Sequence, residues 1–153
     1  MGTQEAIVLS SGEGRRFTIG ADQVIVKAER ASTGGGFSII EYTMPPGVPG
    51  PPPHVHRRIR EIWYVLHGDL EFLAGDDHVR ASAGGFLHIP PGVVHTFSNV
   101  GTTAARWIGI FSPGDGIKLV EAIGEAFPVG GGPPDESKLA EAFRLHDIEV
   151  VAG

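Results

Sequence analysis

The chain has 153 residues, no cysteine and a formal net charge of −6. This length suits one domain with a core of its own, and the lack of cysteine excludes disulfides and thiolate metal sites. Any metal would therefore bind to nitrogen and oxygen ligands. Acidic and basic residues are mixed without a basic block, which argues against a nucleic-acid partner. No apolar run approaches the ~20 residues of a membrane-spanning helix, and the N-terminus lacks a secretory pattern, so we expect a soluble, cytoplasmic protein with no membrane partner.

Short apolar runs between tight turns predict an all-β fold. The chain holds 23 glycines and 12 prolines, a bias that also occurs in disordered chains, but 41% of its residues are hydrophobic. In the first part of the chain, strand-like runs occur at residues 7–9, 17–19, 23–28 and 37–42. A proline-rich loop, residues 45–53, follows. Because proline supplies no ladder donor, this loop is not a central strand and is expected to lead in extended form to His54.

Strand signals are densest between residues 61 and 111. The runs are 61–66, 70–73, 78–81, 86–89, 94–98 and 105–111, and glycine-containing turns separate most of them. Strands this short and this regularly spaced indicate a sandwich or a barrel. Strand alternation places Glu61, Trp63 and Val65 on one face, and the same reasoning points Leu87 and Ile89 inward and His88 outward.

After residue 111 the pattern changes from strands to helices. Asp115 is expected to cap a helix that runs to about residue 127, and Asp135 a second helix that runs to about residue 146. Two short helices cannot bury their apolar faces alone. They should therefore pack on the β domain or on a second subunit.

Three histidines and one glutamate form the candidate site. His54 and His56 are two residues apart on an extended segment, so their side chains point to the same side and can reach one ion at about 2.0–2.2 Å. Glu61 begins the next strand run, and His95 comes from another strand or its turn. Such a donor set suits one divalent ion of iron, manganese, nickel, cobalt, copper or zinc. The remaining histidines are expected at the surface or in turns, and Arg57, Arg58 and Arg60 are read as a solvated edge in preference to a substrate clamp.

The spacing around these residues resembles the two motifs of the cupin superfamily. His54-x-His56, four residues, Glu61, six residues and Gly68 match the first motif. Gly84, five residues, Pro90-x-Gly92, two residues, His95, three residues and Asn99 match the second motif. One departure is Val48, which stands where the first motif begins with glycine. Gly68 and Gly92 suit turns that need positive φ, and Asn99 is expected to be structural.

The resemblance implies a single domain over residues 1–153, built as a double-stranded β-helix or jelly-roll barrel. The barrel would span about residues 17–112, and a C-terminal helical extension about residues 113–153. It also implies a metal held by His54, His56, Glu61 and His95 inside a pocket for a small organic substrate. We expect the pocket wall to come from the apolar residues Phe37, Ile39, Trp63, Phe72, Phe97, Trp107 and Ile110. Cupins of this kind commonly pair, so we expect a homodimer formed through a sheet edge in residues 5–28.

The loop of residues 50–58 and the tail after residue 111 look like those of quercetinase-type bacterial cupins. That resemblance implies a dioxygenase that opens the central ring of a flavonol with O2, with Glu61 as metal ligand, as the base that takes the substrate's proton, or as both in turn. Other cupins with the same frame are isomerases, lyases or cyclases of small-molecule and polyketide metabolism, and some bind small molecules without catalysis. The fold does not decide among these activities.

Overall fold

The computed structural model describes residues 4–151, which contain eleven β-strands, two α-helices and one turn of 3-10 helix. The strands of the first half are β1 (Arg15–Ile19), β2 (Asp22–Ala28), β3 (Ser38–Met44), β4 (His54–His56) and β5 (Arg60–His67). Those that follow are β6 (Leu70–Ala74), β7 (Asp77–Ala81), β8 (Phe86–Ile89), β9 (His95–Ser98), β10 (Ala105–Ser112) and β11 (Ile148–Val150). The helices are α1 (Gly116–Glu125) and α2 (Glu136–Leu145), and the 3-10 turn spans Arg30–Ser32.

The strands form two antiparallel sheets. The six-stranded sheet has the order β1-β2-β3-β10-β5-β8, and the five-stranded sheet has the order β11-β4-β9-β6-β7. The predicted all-β jelly-roll with two short helices is confirmed. The sheets are separate ladders, however, and do not close into one continuous barrel.

The core lies between the inner faces of the two sheets. Every second residue of β3, from Ser38 to Met44, is buried, and β10 alternates in the same way. Across the core, the Trp63 ring of the six-stranded sheet contacts the rings of Phe72 and Phe97 of the five-stranded sheet, with centroids 5.0 and 4.7 Å away. Alternation in β5 and β8 agrees with the prediction, since Glu61, Trp63, Val65, Leu87 and Ile89 are all buried.

The N-terminal segment differs from its prediction. Residues 7–9 form no strand, and Val8 is 87% exposed. The chain turns where the Glu13 amide donates to the Ser10 carbonyl, and the first strand begins only at Arg15. β1 pairs with β2 alone and is therefore one edge of the six-stranded sheet. The homodimer expected through this part of the chain stays a prediction.

The two helices begin where they were predicted, but only one is capped as expected. Asp135 accepts hydrogen bonds from the amides of Ser137 and Lys138, both at 3.1 Å, as an N-cap residue should. Asp115 precedes α1 but makes no cap hydrogen bond, and its carboxylate instead lies 3.1 Å from the Arg30 guanidinium. Neither helix is long and apolar enough to cross a membrane.

The C-terminal segment also contains β11, which the sequence pattern did not predict. β11 pairs antiparallel with β4, with Ile148 opposite His56 and Val150 opposite His54. Two ion pairs, Arg57 with Glu149 and Arg58 with Asp147, join the same two regions. The end of the described chain is therefore bound to the strand that carries the first two histidines of the candidate site.

Candidate metal centre and its cavity

The structure brings the three predicted histidines together in the five-stranded sheet. His54 and His56 lie on β4, and His95 begins β9 directly opposite His54 in the ladder. All three are buried, with at most 8% of each exposed. One ring nitrogen from each lies within 4.8 Å of one ring nitrogen from the other two. The i, i+2 spacing thus places both β4 histidines on the inner face, as expected.

Backbone carbonyls orient two of the three rings. His54 Nδ1 is 2.9 Å from the Pro52 carbonyl oxygen, and His95 Nδ1 is 3.0 Å from the Val93 carbonyl oxygen. A carbonyl oxygen only accepts hydrogen bonds, so Nδ1 carries the proton and Nε2 keeps its lone pair. The same arrangement orients the histidine ligands of metal sites.

Several ring nitrogens are left without a hydrogen bond. His56 Nδ1, His56 Nε2 and His95 Nε2 are buried and have no hydrogen-bond partner within residues 4–151. An unsatisfied buried polar group costs about 1–3 kcal/mol, so such a cluster is uncommon in an ordinary core. A metal ion would accept the Nε2 lone pairs, and the three-histidine donor set therefore fits a metal.

Glu61 is the fourth predicted residue, and it reaches the cluster from β5 of the opposite sheet. Its Oε1 lies 3.2 Å from His56 Nε2 and its Oε2 lies 3.4 Å from His95 Nε2, although the angles do not make hydrogen bonds. Trp63 Nε1 donates a hydrogen bond of 3.2 Å to Oε2. Glu61 contacts two of the three histidines and stands outside the mutually close group that they form.

The electrostatics of the cluster suit metal binding. Burial lowers the pKa of His54 to about 4, and the neighbouring His95 and His56 add to this effect. Burial raises the pKa of the Glu61 carboxyl, but the His56 and His95 rings beside it outweigh burial and hold that pKa below its usual range. Burial lowers the pKa of His95, but the Glu61 carboxylate outweighs burial and raises it. At neutral pH His54 is therefore neutral and Glu61 ionised, which are the forms that bind metals.

The frame residues of the two motifs behave as expected. Gly68 and Gly92 have φ of 78° and 88°, in the region that favours glycine. The Gly92 amide donates to the His56 carbonyl at 2.9 Å, which ties the second motif to the first. Asn99 is 1% exposed and donates to the carbonyls of Met44, Pro45 and Thr103, so it is structural.

A cavity of about 580 Å³ opens beside the candidate centre, and His54, His56 and Glu61 lie in its wall. Three stacked rings form one side of it. Tyr42 and Trp107 have centroids 4.5 Å apart and planes 16° apart, and Trp107 and Trp63 have centroids 4.7 Å apart and planes 12° apart. We call Tyr42, Trp107 and Trp63 the aromatic row. A cavity of this size with a mostly apolar wall is typical of sites that bind small organic molecules.

The predicted wall residues are partly right. Trp63, Phe97 and Trp107 line the cavity, and Phe72 packs in the core behind Trp63. Phe37, Ile39 and Ile110 do not line it, because the inward positions of β3 begin at Ser38 and those of β10 at Ala105. Ile39 and Ile110 instead face each other across the ladder on the outer side of the six-stranded sheet.

Two parts of the wall were not predicted. The C-terminal segment contributes a group of apolar residues: Leu119, Ile123, Phe127, Leu139, Phe143 and Ile148. β2 contributes Asp22, whose Oδ2 accepts a hydrogen bond of 2.5 Å from the Tyr42 hydroxyl. The alternation of β2 could have indicated Asp22, because it shares the inward side with Val24 and Val26.

The other basic residues lie away from the centre. His67 and His78 are exposed, His146 is half-buried at the end of α2, and His88 points outward. Arg57 and Arg58 pair with acidic residues of the C-terminal segment, and Arg60 lies 3.2 Å from His88 Nε2. These contacts favour the solvated edge over a substrate clamp.

The model of the cupin domain family matches residues 40–111. Quercetin 2,3-dioxygenase of Bacillus subtilis (strain 168) is 28% identical over 145 residues, which are 95% of this chain and 42% of that protein. The chain thus spans about two fifths of the length of that relative. The solved structure of a predicted oxalate decarboxylase from Thermotoga maritima superposes with a TM-score of 0.62 and 20% identity, over 71% of this chain and 99% of that one. A sugar phosphate isomerase of the cupin superfamily from Silicibacter pomeroyi has a TM-score of 0.53 and 18% identity, over 60% of this chain and 59% of that one.

At these identities the solved structures show the shared fold alone. They carry no information about the reaction.

Proposed function

We propose that the chain, whose residues 40–111 match the cupin domain model, is a metal-dependent dioxygenase that acts on a small, enolisable aromatic substrate. The main support for the proposal is that a cluster of possible metal ligands lies next to a cavity with an aromatic wall. Three buried histidines, of which His56 and His95 have unpartnered ring nitrogens, and an ionised glutamate lie beside a cavity walled in part by stacked aromatic rings. The similarity to a quercetin dioxygenase supports the same substrate class.

Some of these residues would bind the metal, and others would contact the substrate. His54, His56 and His95 would hold the ion, with Glu61 as a fourth ligand; iron, manganese, nickel, cobalt, copper and zinc all suit these donors. When bound, the ion would supply a Lewis acid for the substrate's hydroxyl oxygen and the setting for its reaction with O2. The aromatic row would hold a flat ring and exclude water from it.

Glu61 is the residue we expect to move a proton. Trp63 Nε1 holds Oε2, which leaves Oε1 free to take the proton of a substrate hydroxyl. The His56 and His95 rings keep the pKa of Glu61 low, whereas burial acts to raise it. A substrate that separates the carboxylate from these rings therefore makes Glu61 a stronger base at the moment the proton is taken.

The proposal is tested by O2 consumption with quercetin. Protein reconstituted in turn with iron, manganese, nickel and cobalt is expected to take up O2 in at least one form. Glu61→Gln should keep its metal but lose turnover by about 10²- to 10⁴-fold, because the base is gone. Glu71→Gln, on an exposed position of β6, is the matched control and should behave as wild type. Absence of O2 uptake in every metal form would remove the dioxygenase assignment.

A metal enzyme that does not use O2 is the second candidate. Neither the fold nor a donor set of three histidines and a glutamate fixes the reaction, so lyase or isomerase chemistry on the same ion is the alternative. Turnover of a candidate substrate under nitrogen would favour it. Ligand binding with no product in either atmosphere would indicate a binding protein.

A further inference from the structure

A second carboxylate stands in the cavity wall, away from the histidines. Asp22, the first residue of β2, is 6% exposed and lines the cavity. The Tyr42 hydroxyl donates to its Oδ2. Its Oδ1 is buried and lacks a hydrogen-bond partner among the described residues. One acceptor of this carboxylate is therefore unused.

Leaving this acceptor unused is energetically unfavourable. A buried acceptor without a donor costs about 1–3 kcal/mol, and an apolar residue of similar size would avoid that cost. Burial also raises the pKa of Asp22, and the hydrogen bond from Tyr42 only partly opposes the effect. An aspartate at this position lowers the stability of the fold, and a hydrogen-bond donor on a ligand would satisfy Oδ1.

The aromatic row connects the two carboxylates. Its rings come from three neighbouring strands of the six-stranded sheet, Tyr42 from β3, Trp107 from β10 and Trp63 from β5. At one end Trp63 donates to Glu61, and at the other end Tyr42 donates to Asp22. Three strand spacings separate β2 from β5 across the sheet, and the register also offsets the two acids along the strands, since Glu61 pairs with Phe111 near one end of β10 and Asp22 lies toward the other. Both acids line the same cavity, so an elongated molecule that fills it can approach both.

We propose that Asp22 is a specificity-determining residue that accepts a hydrogen bond from a hydroxyl group at the end of the substrate remote from the histidines. Because Oδ1 is buried, a hydroxyl group reaches it only after rotation about the Cβ–Cγ bond, a soft torsion, turns the carboxylate toward the cavity that Asp22 lines. The inference rests on the proposed function and narrows its substrate class to flat aromatic molecules that carry hydroxyl groups at both ends.

Binding of two flavonols tests the role of Asp22 separately from catalysis. Quercetin carries hydroxyls remote from its enolisable group, and 3-hydroxyflavone carries none. Their dissociation constants are measured on metal-loaded protein under nitrogen by quenching of tryptophan fluorescence. Both tryptophans of the chain, Trp63 and Trp107, lie in the cavity wall.

In Asp22→Ala we expect quercetin to bind about 10- to 100-fold more weakly, because a hydrogen bond to a charged group is lost. The affinity for 3-hydroxyflavone should change less than about twofold. Asp22→Asn retains the size of the side chain and should weaken quercetin binding about fivefold, which keeps the test valid if the alanine variant folds poorly. Gln23→Ala, the neighbouring exposed position on β2, is the matched control and should leave both affinities unchanged.

Equal weakening of both flavonols, or none, would overturn the inference and leave Asp22 with a structural role. Failure of quercetin to bind wild type would overturn it as well. O2 uptake by wild type with an unchanged flavonol preference in Asp22→Ala would refute this inference alone. A preference that depends on Asp22 without any O2 uptake would support the inference and refute the dioxygenase assignment.

Discussion

The two sheets contribute different chemistry to one cavity. The five-stranded sheet supplies the nitrogen donors, His54 and His56 from β4 and His95 from β9. The six-stranded sheet supplies the acids, Glu61 and Asp22, together with the aromatic row. The candidate metal centre lies where the two sheets face each other.

The side chains that the two sheets contribute are also held in place by different kinds of contact. The rings of His54 and His95 are oriented by carbonyl groups only two residues earlier in the chain. Asp22 and the aromatic row are held by contacts between residues that are far apart in sequence, such as the stacking of Tyr42 on Trp107. We therefore expect the five-stranded sheet to determine metal binding and the six-stranded sheet to determine stability and substrate choice.

The largest effect is expected from Trp107→Ala in the six-stranded sheet. Trp107 is 1% exposed and stacks on both other rings of the row, so its removal should reduce the free energy of unfolding by about 3–5 kcal/mol. Phe86→Ala, which removes a ring that is 65% exposed on the same sheet, should cost less than about 0.5 kcal/mol. Urea denaturation measures both variants, and similar losses would show that the row is not part of the core.

The next effect concerns metal binding by the five-stranded sheet. His95→Gln removes one of three clustered donors and should weaken binding of a divalent ion by about 100-fold, which corresponds to about 2.7 kcal/mol. The control is His88→Gln, which changes an outward-pointing histidine of the other sheet and should leave affinity unchanged. Calorimetric titration with zinc or nickel gives both values. Equal affinity in wild type and His95→Gln would contradict the assignment of His95 as a ligand.

The smallest effect is the pH dependence of folding stability that arises from Asp22 in the six-stranded sheet. Its pKa is raised above the ordinary 3.8 in the folded protein, so the folded state binds the proton more tightly than the unfolded chain does. This contribution stabilises wild type below the ordinary pKa and is lost as the pH rises through the folded pKa. Asp22→Asn does not titrate, so its stability relative to wild type should rise over that range. Denaturation midpoints of both proteins across acid pH measure the difference, and a constant difference would contradict the raised pKa.

The parts of the site that were predicted correctly depend on short-range patterns. The i, i+2 histidines and the alternation of Glu61 with Trp63 follow from strand geometry within a few residues, and the structure agrees with both. Their role in holding a metal stays a prediction. The two motifs lie about forty residues apart, yet the ladder pairs His54 with His95 as the cupin frame implies.

The parts that were missed depend on pairing between distant residues. Ile39 and Ile40 are adjacent and both apolar, so hydrophobicity alone does not show which side of β3 faces the cavity. The inward position of Asp22 follows the alternation of β2, but its hydrogen bond with Tyr42, twenty residues away, depends on the pairing of β2 with β3. β11 has three residues, too few for a periodic signal, and its pairing with β4 is set by tertiary contacts.

The pairing of β11 with β4 has a thermodynamic consequence for the far end of the chain. β4 carries two of the three donors, and its free edge is covered by residues 148–150. An ion that binds to the histidines and stabilises β4 should therefore also stabilise the pairing of β11 with β4, although β11 lies more than ninety residues further along the chain. Protease cleavage between α2 and β11 should then slow when the ion is added, so the susceptibility of this remote peptide would report on whether the histidines are occupied.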